Sequence, residues 1–352
     1  GARRRGGGGL VATAASGAAS FVYEIGWIRL LNQALGSTVH SFELMLAAFI
    51  LGLAFGGLWI RRRARRIADP IAYAGYAQVF MGIAALLSIP VFASSFGWVG
   101  WLIHALSKSE QGNRLSELGT AGTSLLVMFP AAFFAGMTLP LFTAGLLRSG
   151  ADERAIGRVY AANTLGAIAG VFLMTHVLIP AIGVRLSVSL AALADIVIGF
   201  YLLRFVSPGV RSPKLLAVAG VVVAAFGFSS LAGRPDPVEQ ASGVFRTGNV
   251  RLEGATVDYL RDGKTATVSV FSMKDGRSIA TNGKPDAALA ALDAPPSSDE
   301  HTMVMLGAAP LALHPSPERI AVIGWGSGLT THTLLGSHLP KSVETIEIEP
   351  AM

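Results

Sequence analysis

Seven apolar stretches, each about as long as a helix that crosses a hydrocarbon core, run through this 352-residue chain. They are residues 10–35, 41–60, 71–94, 119–147, 159–180, 186–206 and 215–233. A backbone in lipid must satisfy its own polar groups, so such stretches can only be helices. Composition agrees: 52% of residues are hydrophobic and 14% are charged, against about 25% charged in a typical soluble domain. The expectation is a multi-pass protein of the plasma (inner) membrane, with the lipid bilayer as its first partner. Residues 95–106, with Trp98, Trp101 and His104, are too short to span and read as an interfacial helix with an aromatic anchor. Gly52 with Gly56, and Gly166 with Gly170, have the small-residue spacing that lets helix backbones approach closely.

The net charge is +6, but the basic residues sit beside the apolar spans, so no nucleic-acid partner is expected. Arg3, Arg4 and Arg5, the run Arg61, Arg62, Arg63, Arg65 and Arg66, then Arg148, Arg154 and Arg158, and finally Arg211 with Lys214 all fall on one side of a seven-span layout. The positive-inside rule makes that side the cytoplasm, which puts whatever follows residue 233 outside. There is no cysteine, so disulfides and thiolate metal sites are excluded. His104 and His176 lack ligand spacing, and no metal is expected. Glu24 and Arg29 lie inside the first span and Asp195 inside the sixth. Ionisable groups at membrane depth face a partner or a cavity. Glu24 and Arg29 are about 140° apart on a helix and do not pair within it. The three residues read either as a site for a cationic ligand such as a polyamine, or as a polar tie between helices.

The pattern changes after a polar stretch that starts at Arg234. Asp262–Gly263, Asp275–Gly276 and Asn282–Gly283 are hairpin dipeptides around short alternating runs, which predicts an antiparallel meander. Residues 287–298 read as a loop and residues 300–313 as a helix. Next come a β-branched strand at 320–323, a turn with Gly324, Gly326, Ser327 and Gly328, a helix at 329–339 and a strand at 342–348. The glycines let backbone turn tightly and approach a ligand, and Glu347 lies about 20 residues on, where a nucleotide-binding βαβ unit places the carboxylate for ribose hydroxyls. Glu349 reads either as reaching the adenine side or as a solvated strand end.

This final stretch resembles the start of the nucleotide domain of the spermidine synthase family. The resemblance extends to Thr265-Ala-Thr-Val-Ser-Val270, Thr281-Asn-Gly-Lys-Pro-Asp286 and Ala309-Pro-Leu-Ala-Leu-His-Pro315. The membrane-fused branch of that family puts a multi-helix region in front of such a domain. Ser16-Gly-Ala-Ala-Ser-Phe-Val-Tyr-Glu-Ile-Gly-Trp-Ile-Arg29, Ala135-Gly-Met-Thr-Leu-Pro140 and Ile156-Gly-Arg-Val-Tyr-Ala-Ala-Asn-Thr-Leu-Gly166 are similar to it. The implied organisation is a polytopic transmembrane domain (1–233), a linker (234–254), a β-meander and loop (255–298), and an incomplete first part of a spermidine-synthase-like nucleotide-binding domain (299–352). The implied fold class is an α-helical transmembrane bundle of about seven spans, then the small meander, then the start of a Rossmann-like α/β S-adenosylmethionine-type domain.

The resemblance implies a transferase of polyamine biosynthesis. It would move an aminopropyl group from decarboxylated S-adenosylmethionine to putrescine by direct displacement, the enzyme supplying orientation and a base. Gly324, Gly326, Ser327 and Gly328 would wrap the adenosyl group and Glu347 would take the ribose. Two departures bear on this. Ser327 stands where soluble members have Asp, and Asp299-Glu300 is followed by His-Thr-Met without the family's Tyr-His-Glu. Two rivals therefore stay open: a methyltransferase using S-adenosylmethionine, and a polyamine transporter or membrane scaffold with a degenerate soluble domain. The acceptor-side aspartate of the family is not in this sequence, so no catalytic residue is assigned, and the chain is expected to be a fragment that is inactive alone. An oligomer is compatible with all of these readings.

Overall fold

A computed structural model describes residues 2–106, 110–206 and 212–352. The chain divides into two compact units, Gly1–Pro235 and Asp236–Met352. Of the basic flanks, Arg211 lies outside the described residues, as do the side chains of Arg3, Arg4 and Arg5.

The first unit is helical. Its elements are α1 (Ala2–Leu35), α2 (Val39–Arg63), α3 (Pro70–Ala105), α4 (Glu110–Arg148), α5 (Arg154–Leu173), α6 (Ile179–Tyr201) and α7 (Ser212–Ala232). α1 packs on α5 and α6, α2 on α4, and α3 on α4, α6 and α7. Trp27, Tyr23, Phe92, Phe96 and Phe142 are among the largest fully buried side chains. Phe55, Leu165, Ile168, Phe172, Val197, Leu216 and Val223 point outward, as apolar residues do when lipid is the solvent. The two small-residue pairs lie at the closest approaches. A Cβ at Gly56 would strike the Phe133 carbonyl of α4, and one at Gly166 would strike the Ala14 carbonyl of α1.

Among the described residues, five helical stretches, not seven, are long and apolar enough to cross a membrane: Val39–Arg63, Pro70–Ala105, Arg114–Arg148, Arg154–Val206 and Pro213–Ala232. α1 is not among them: Ser, Gly, Glu24 and Arg29 lower its hydropathy. The stretches expected at 159–180 and 186–206 fall in one helical run. That run has π-helical turns at Met174–Leu178 and Leu202–Val206 and a non-helical Gly183 at φ 79°, ψ 167°. Residues 95–106 are not a separate interfacial helix. α3 continues through them, since nothing after Ser94 caps it, and Pro90 is absorbed within the helix. Trp98 and Trp101 are exposed on its last turns.

The second unit opens with two short helices, α8 (Pro237–Ala241) and α9 (Val244–Thr247). A four-stranded antiparallel sheet follows in the order β1 (Thr256–Asp262), β2 (Thr267–Met273), β3 (Gly276–Thr281) and β4 (Lys284–Ala290). Asn282 at φ 49° and Gly283 at φ 78° make the β3–β4 turn, the left-handed pair that a tight hairpin needs. The first residues of the expected loop at 287–298 belong to β4, because Ala287 is buried in register with Ile279. Helix α10 (Ser298–Leu313) starts on a capping box between Ser297 and Glu300. Last come β5 (Arg319–Ile323), α11 (Leu329–Leu335) and β6 (Ser342–Ile346), with the two strands parallel. A Rossmann fold needs a larger sheet than two strands. This is a single β-α-β unit, and the expected Rossmann-like domain is corrected to that.

Candidate functional site

The turn between β5 and α11 is set by its glycines. Gly324, Gly326 and Gly328 have φ of 93°, 55° and 79°, where an L side chain is strained. A Cβ at Gly324 or Gly326 would meet nothing within 4 Å, so the backbone there is open to close approach. At Gly328 the Trp325 indole fills the space, 3.2 Å from where a Cβ would sit. Gly324 N–H donates to the Ile346 carbonyl at 2.8 Å, which carries the parallel ladder one step into the turn.

Glu347 follows β6 and reaches back to this turn. Its Oε2 accepts the Trp325 N–H at 2.6 Å and its Oε1 accepts the Glu349 N–H at 2.8 Å. These backbone hydrogen bonds, the one from Trp325 foremost, hold its carboxyl below the ordinary glutamate range. A carboxylate has about four lone-pair sites, and the backbone N–H groups of Trp325, Glu349 and Ile348 already act on this one, so about one acceptor position remains for a hydroxyl donor. A cavity of about 500 Å³ lies beside the turn, lined by Asp286, Met303, Leu306, Gly324, Trp325 and Ser327 among others. That volume is in the usual range for a small-molecule site.

Other expected residues are placed differently. The Ser327 hydroxyl donates to Met303 Sδ at 3.0 Å and accepts from Leu329 N–H at 3.3 Å, so it ties the loop to α10 and starts α11. Glu300 is occupied by the cap: its Oε2 accepts the Ser297 N–H at 2.6 Å. Glu349 neither faces the cavity nor lies solvated. It is 3% exposed. It accepts hydrogen bonds from Lys264 N–H (3.2 Å), Thr265 N–H (2.5 Å), Thr265 Oγ1 (2.7 Å), Ala266 N–H (3.1 Å) and Ala351 N–H (2.9 Å). Burial pushes this carboxyl up, but the hydrogen bonds from Thr265, Ala351 and Ala266 outweigh it and hold it below the ordinary range. Both expected readings of Glu349 are therefore corrected: it is a buried carboxylate that locks the β1–β2 turn.

In the helical unit, Asp195 is fully buried and accepts the Tyr23 hydroxyl at 2.5 Å. Its partner is Tyr23, not Glu24 or Arg29. Glu24 is half-buried, and Arg29 is 7% exposed. Among the described residues, no three His, Asp or Glu side chains gather as a metal site.

This chain is similar to a protein named polyamine aminopropyltransferase from Corynebacterium efficiens. The two are 25% identical over 335 residues, which is 93% of this chain and 57% of that protein. The chain thus spans little more than half the length of the relative it matches. No family model matches the chain, and no solved structure matches it.

Sequence reasoning missed three residues. Trp325 supplies the backbone donor that engages Glu347. A tryptophan inside a glycine turn is the signal that could have drawn attention to it. Tyr23 lies one turn before Trp27 on α1, and the two rings stack at 5.2 Å between centroids. Gln78, fully buried on α3, accepts the Ser16 hydroxyl at 3.4 Å. A glutamine inside an apolar run was the only signal for it.

Proposed function

We propose that this chain belongs to a membrane-bound, spermidine-synthase-like protein that transfers an aminopropyl group from decarboxylated S-adenosylmethionine to putrescine. The observation that carries the reading is the closure of Glu347 onto the Trp325 N–H above a glycine turn with open space at Gly324 and Gly326. The name of the similar protein agrees with it. Gly324 and Gly326 admit the adenosyl group, Gly328 turns the backbone into α11, and the acceptor position left on Glu347 takes a ribose hydroxyl. Ser327 orders the loop. The second unit then corresponds to the front of a nucleotide-binding domain.

In this reading the first unit is a seven-span bundle of the plasma membrane. The run Arg154–Val206 has 53 residues, about 80 Å if straight, against a hydrocarbon core of about 30 Å. The break at Gly183 lets it cross twice, and α1 crosses within the bundle, shielded by α5 and α6. Arg148 donates to the carbonyls of Ala64, Ile67 and Ala68, which joins the α2–α3 and α4–α5 connections at one face. Among the described residues, Arg61, Arg62, Arg63, Arg65, Arg66, Arg154 and Arg158 flank the same connections, and this face is the cytoplasmic one.

Calorimetry on the protein with decarboxylated and intact S-adenosylmethionine tests the site. Saturable binding of the decarboxylated donor is expected, weakened about 10- to 100-fold in Glu347→Ala, as the loss of hydrogen bonds to a charged group implies. Preference for the intact donor would move the reading to a methyltransferase. Equal, unsaturable heats for wild type and variant would end both readings.

A further inference from the structure

The helical unit holds a polar centre that aminopropyl transfer does not use. Three helices supply it. From α6 comes Asp195, fully buried, with Oδ2 on the Tyr23 hydroxyl and Oδ1 without a hydrogen-bond partner among the described residues. From α1 come Tyr23, Trp27 and Ser16. Tyr23 stacks on Trp27, whose Nε1 donates to Ser88 Oγ of α3 at 2.8 Å. From α3 comes Gln78, whose Oε1 accepts from Ser16 and whose Nε2 also has no hydrogen-bond partner among the described residues. The α3–α6 contact is tight here. A Cβ on Gly82 would sit 2.5 Å from the Ala192 carbonyl, and one on Gly199 would sit 2.6 Å from the Gly75 carbonyl. Gln78 and Asp195 lie between those crossing points.

A bare carboxylate at this depth costs several kcal/mol or more unless it is paired or neutralised. Among the described residues, Tyr23 is the ionisable group that acts on Asp195, and it is not a cation. One hydroxyl donor cannot satisfy both oxygens of an anion. A proton is the smallest charge that neutralises the site, and it needs no widening of the Gly82 and Gly199 contacts. With the proton on, what remains unmet is a neutral group instead of half of a charge. A purely structural tie would satisfy both carboxyl oxygens and both ends of Gln78, and neither is done.

We infer that Asp195 and Tyr23 form an intramembrane proton-binding site. Asp195 holds one proton while α1, α3 and α6 are closed around it. It gives that proton to water when α1 parts from α6, leaving the carboxylate and hydronium, and takes one back on closure. The run that carries Asp195 has two π-helical turns and the break at Gly183. Irregularities of this kind are where long helices bend.

Infrared spectroscopy of the protein in lipid vesicles at neutral pH tests this without any ligand. A protonated-carboxyl C=O band is expected that moves with ¹³C labelling of aspartate. It disappears in Asp195→Asn and changes frequency in Tyr23→Phe, which keeps the ring and loses the hydroxyl. Absence of the band in the wild type, or its survival in Asp195→Asn, overturns the inference. If Asp195→Asn does not fold, Tyr23→Phe decides, since a label-sensitive band that does not shift there overturns the assignment equally.

Discussion

Asp195 in the helical unit and Glu349 in the second unit are both carboxylates almost lost to solvent, at 0% and 3% exposed. They are solvated by protein very differently. Glu349 is met by backbone N–H groups of Lys264, Thr265, Ala266 and Ala351 and by the Thr265 hydroxyl. Among the described residues, Asp195 is met by a single phenol. A carboxylate surrounded by donors is stable as an anion and fixes the segments that supply them. One with a single neutral donor is not stable as an anion and belongs to a group that exchanges charge. Depth alone does not separate structure from function in this molecule. The count of donors does.

The largest expected effect is at Glu349. Glu349→Gln keeps the size, removes the charge and, in either amide orientation, turns an N–H donor toward backbone N–H groups, those of Thr265 and Ala266 or those of Lys264 and Ala351. Losing charge-assisted hydrogen bonds while leaving buried donors unmet costs about 3 kcal/mol. Amide hydrogen exchange on the intact protein checks this. Protection at residues 264–266 should fall by about two orders of magnitude, the fold-change that energy implies. Unchanged protection there would mean the carboxylate is a passenger and would break the contrast with Asp195.

Next in size is the response to acid. Glu347 and Glu349 both have carboxyls held below the ordinary value of 4.5 in the fold. A group depressed on folding contributes stability that is fully present above its unfolded value and is lost as pH falls through its folded value. Glu239 runs the other way. Burial first, and Asp236 second, raise it above 4.5, so it takes its proton earlier and costs the fold less as acid is added. The second unit should therefore hold its stability, or gain slightly, down to about the ordinary glutamate value and lose it below. Exchange protection at residues 264–266 followed against pH reads this. A loss that starts near neutrality would contradict the assigned donors.

Why some of this was legible and some not follows from sequence distance. The β3–β4 hairpin rests on Asn282 and Gly283, adjacent residues whose φ values few others accept, so a dipeptide sufficed. The glycine turn is equally local, and Glu347 engages it 22 residues away through one short helix. Glu349 finds its donors 83 to 85 residues upstream, and nothing in its neighbours marks the β1–β2 turn as its destination. Asp195 and Tyr23 are 172 residues apart. Hydropathy located both helices but not which faces meet. α1 falls short of the hydropathy of the other spans, although Ala12, Ala19 and Ala34 are buried against its neighbours. Within α6, Gly183 breaks the helical backbone inside an unbroken apolar run.

The smallest expected effect is at the other end of the comparison. Asp195→Asn keeps the shape and an acceptor for the Tyr23 hydroxyl, and it replaces the carboxyl O–H of the closed bundle with an amide N–H. If Asp195 is already neutral when buried, the substitution trades one neutral polar group for another, and the helical unit should shift by less than about 1 kcal/mol. Thermal unfolding of the purified protein in detergent measures this, with helix loss as the signal. The paired expectation is what makes it informative: the Gln variant of Glu349 is costly and the Asn variant of Asp195 is nearly silent, although Asp195 is the more deeply buried of the two. A large loss at Asp195 would show that its charge is solvated by groups beyond Tyr23. It would then be a second Glu349, a structural anion, and the contrast on which the proton site rests would vanish.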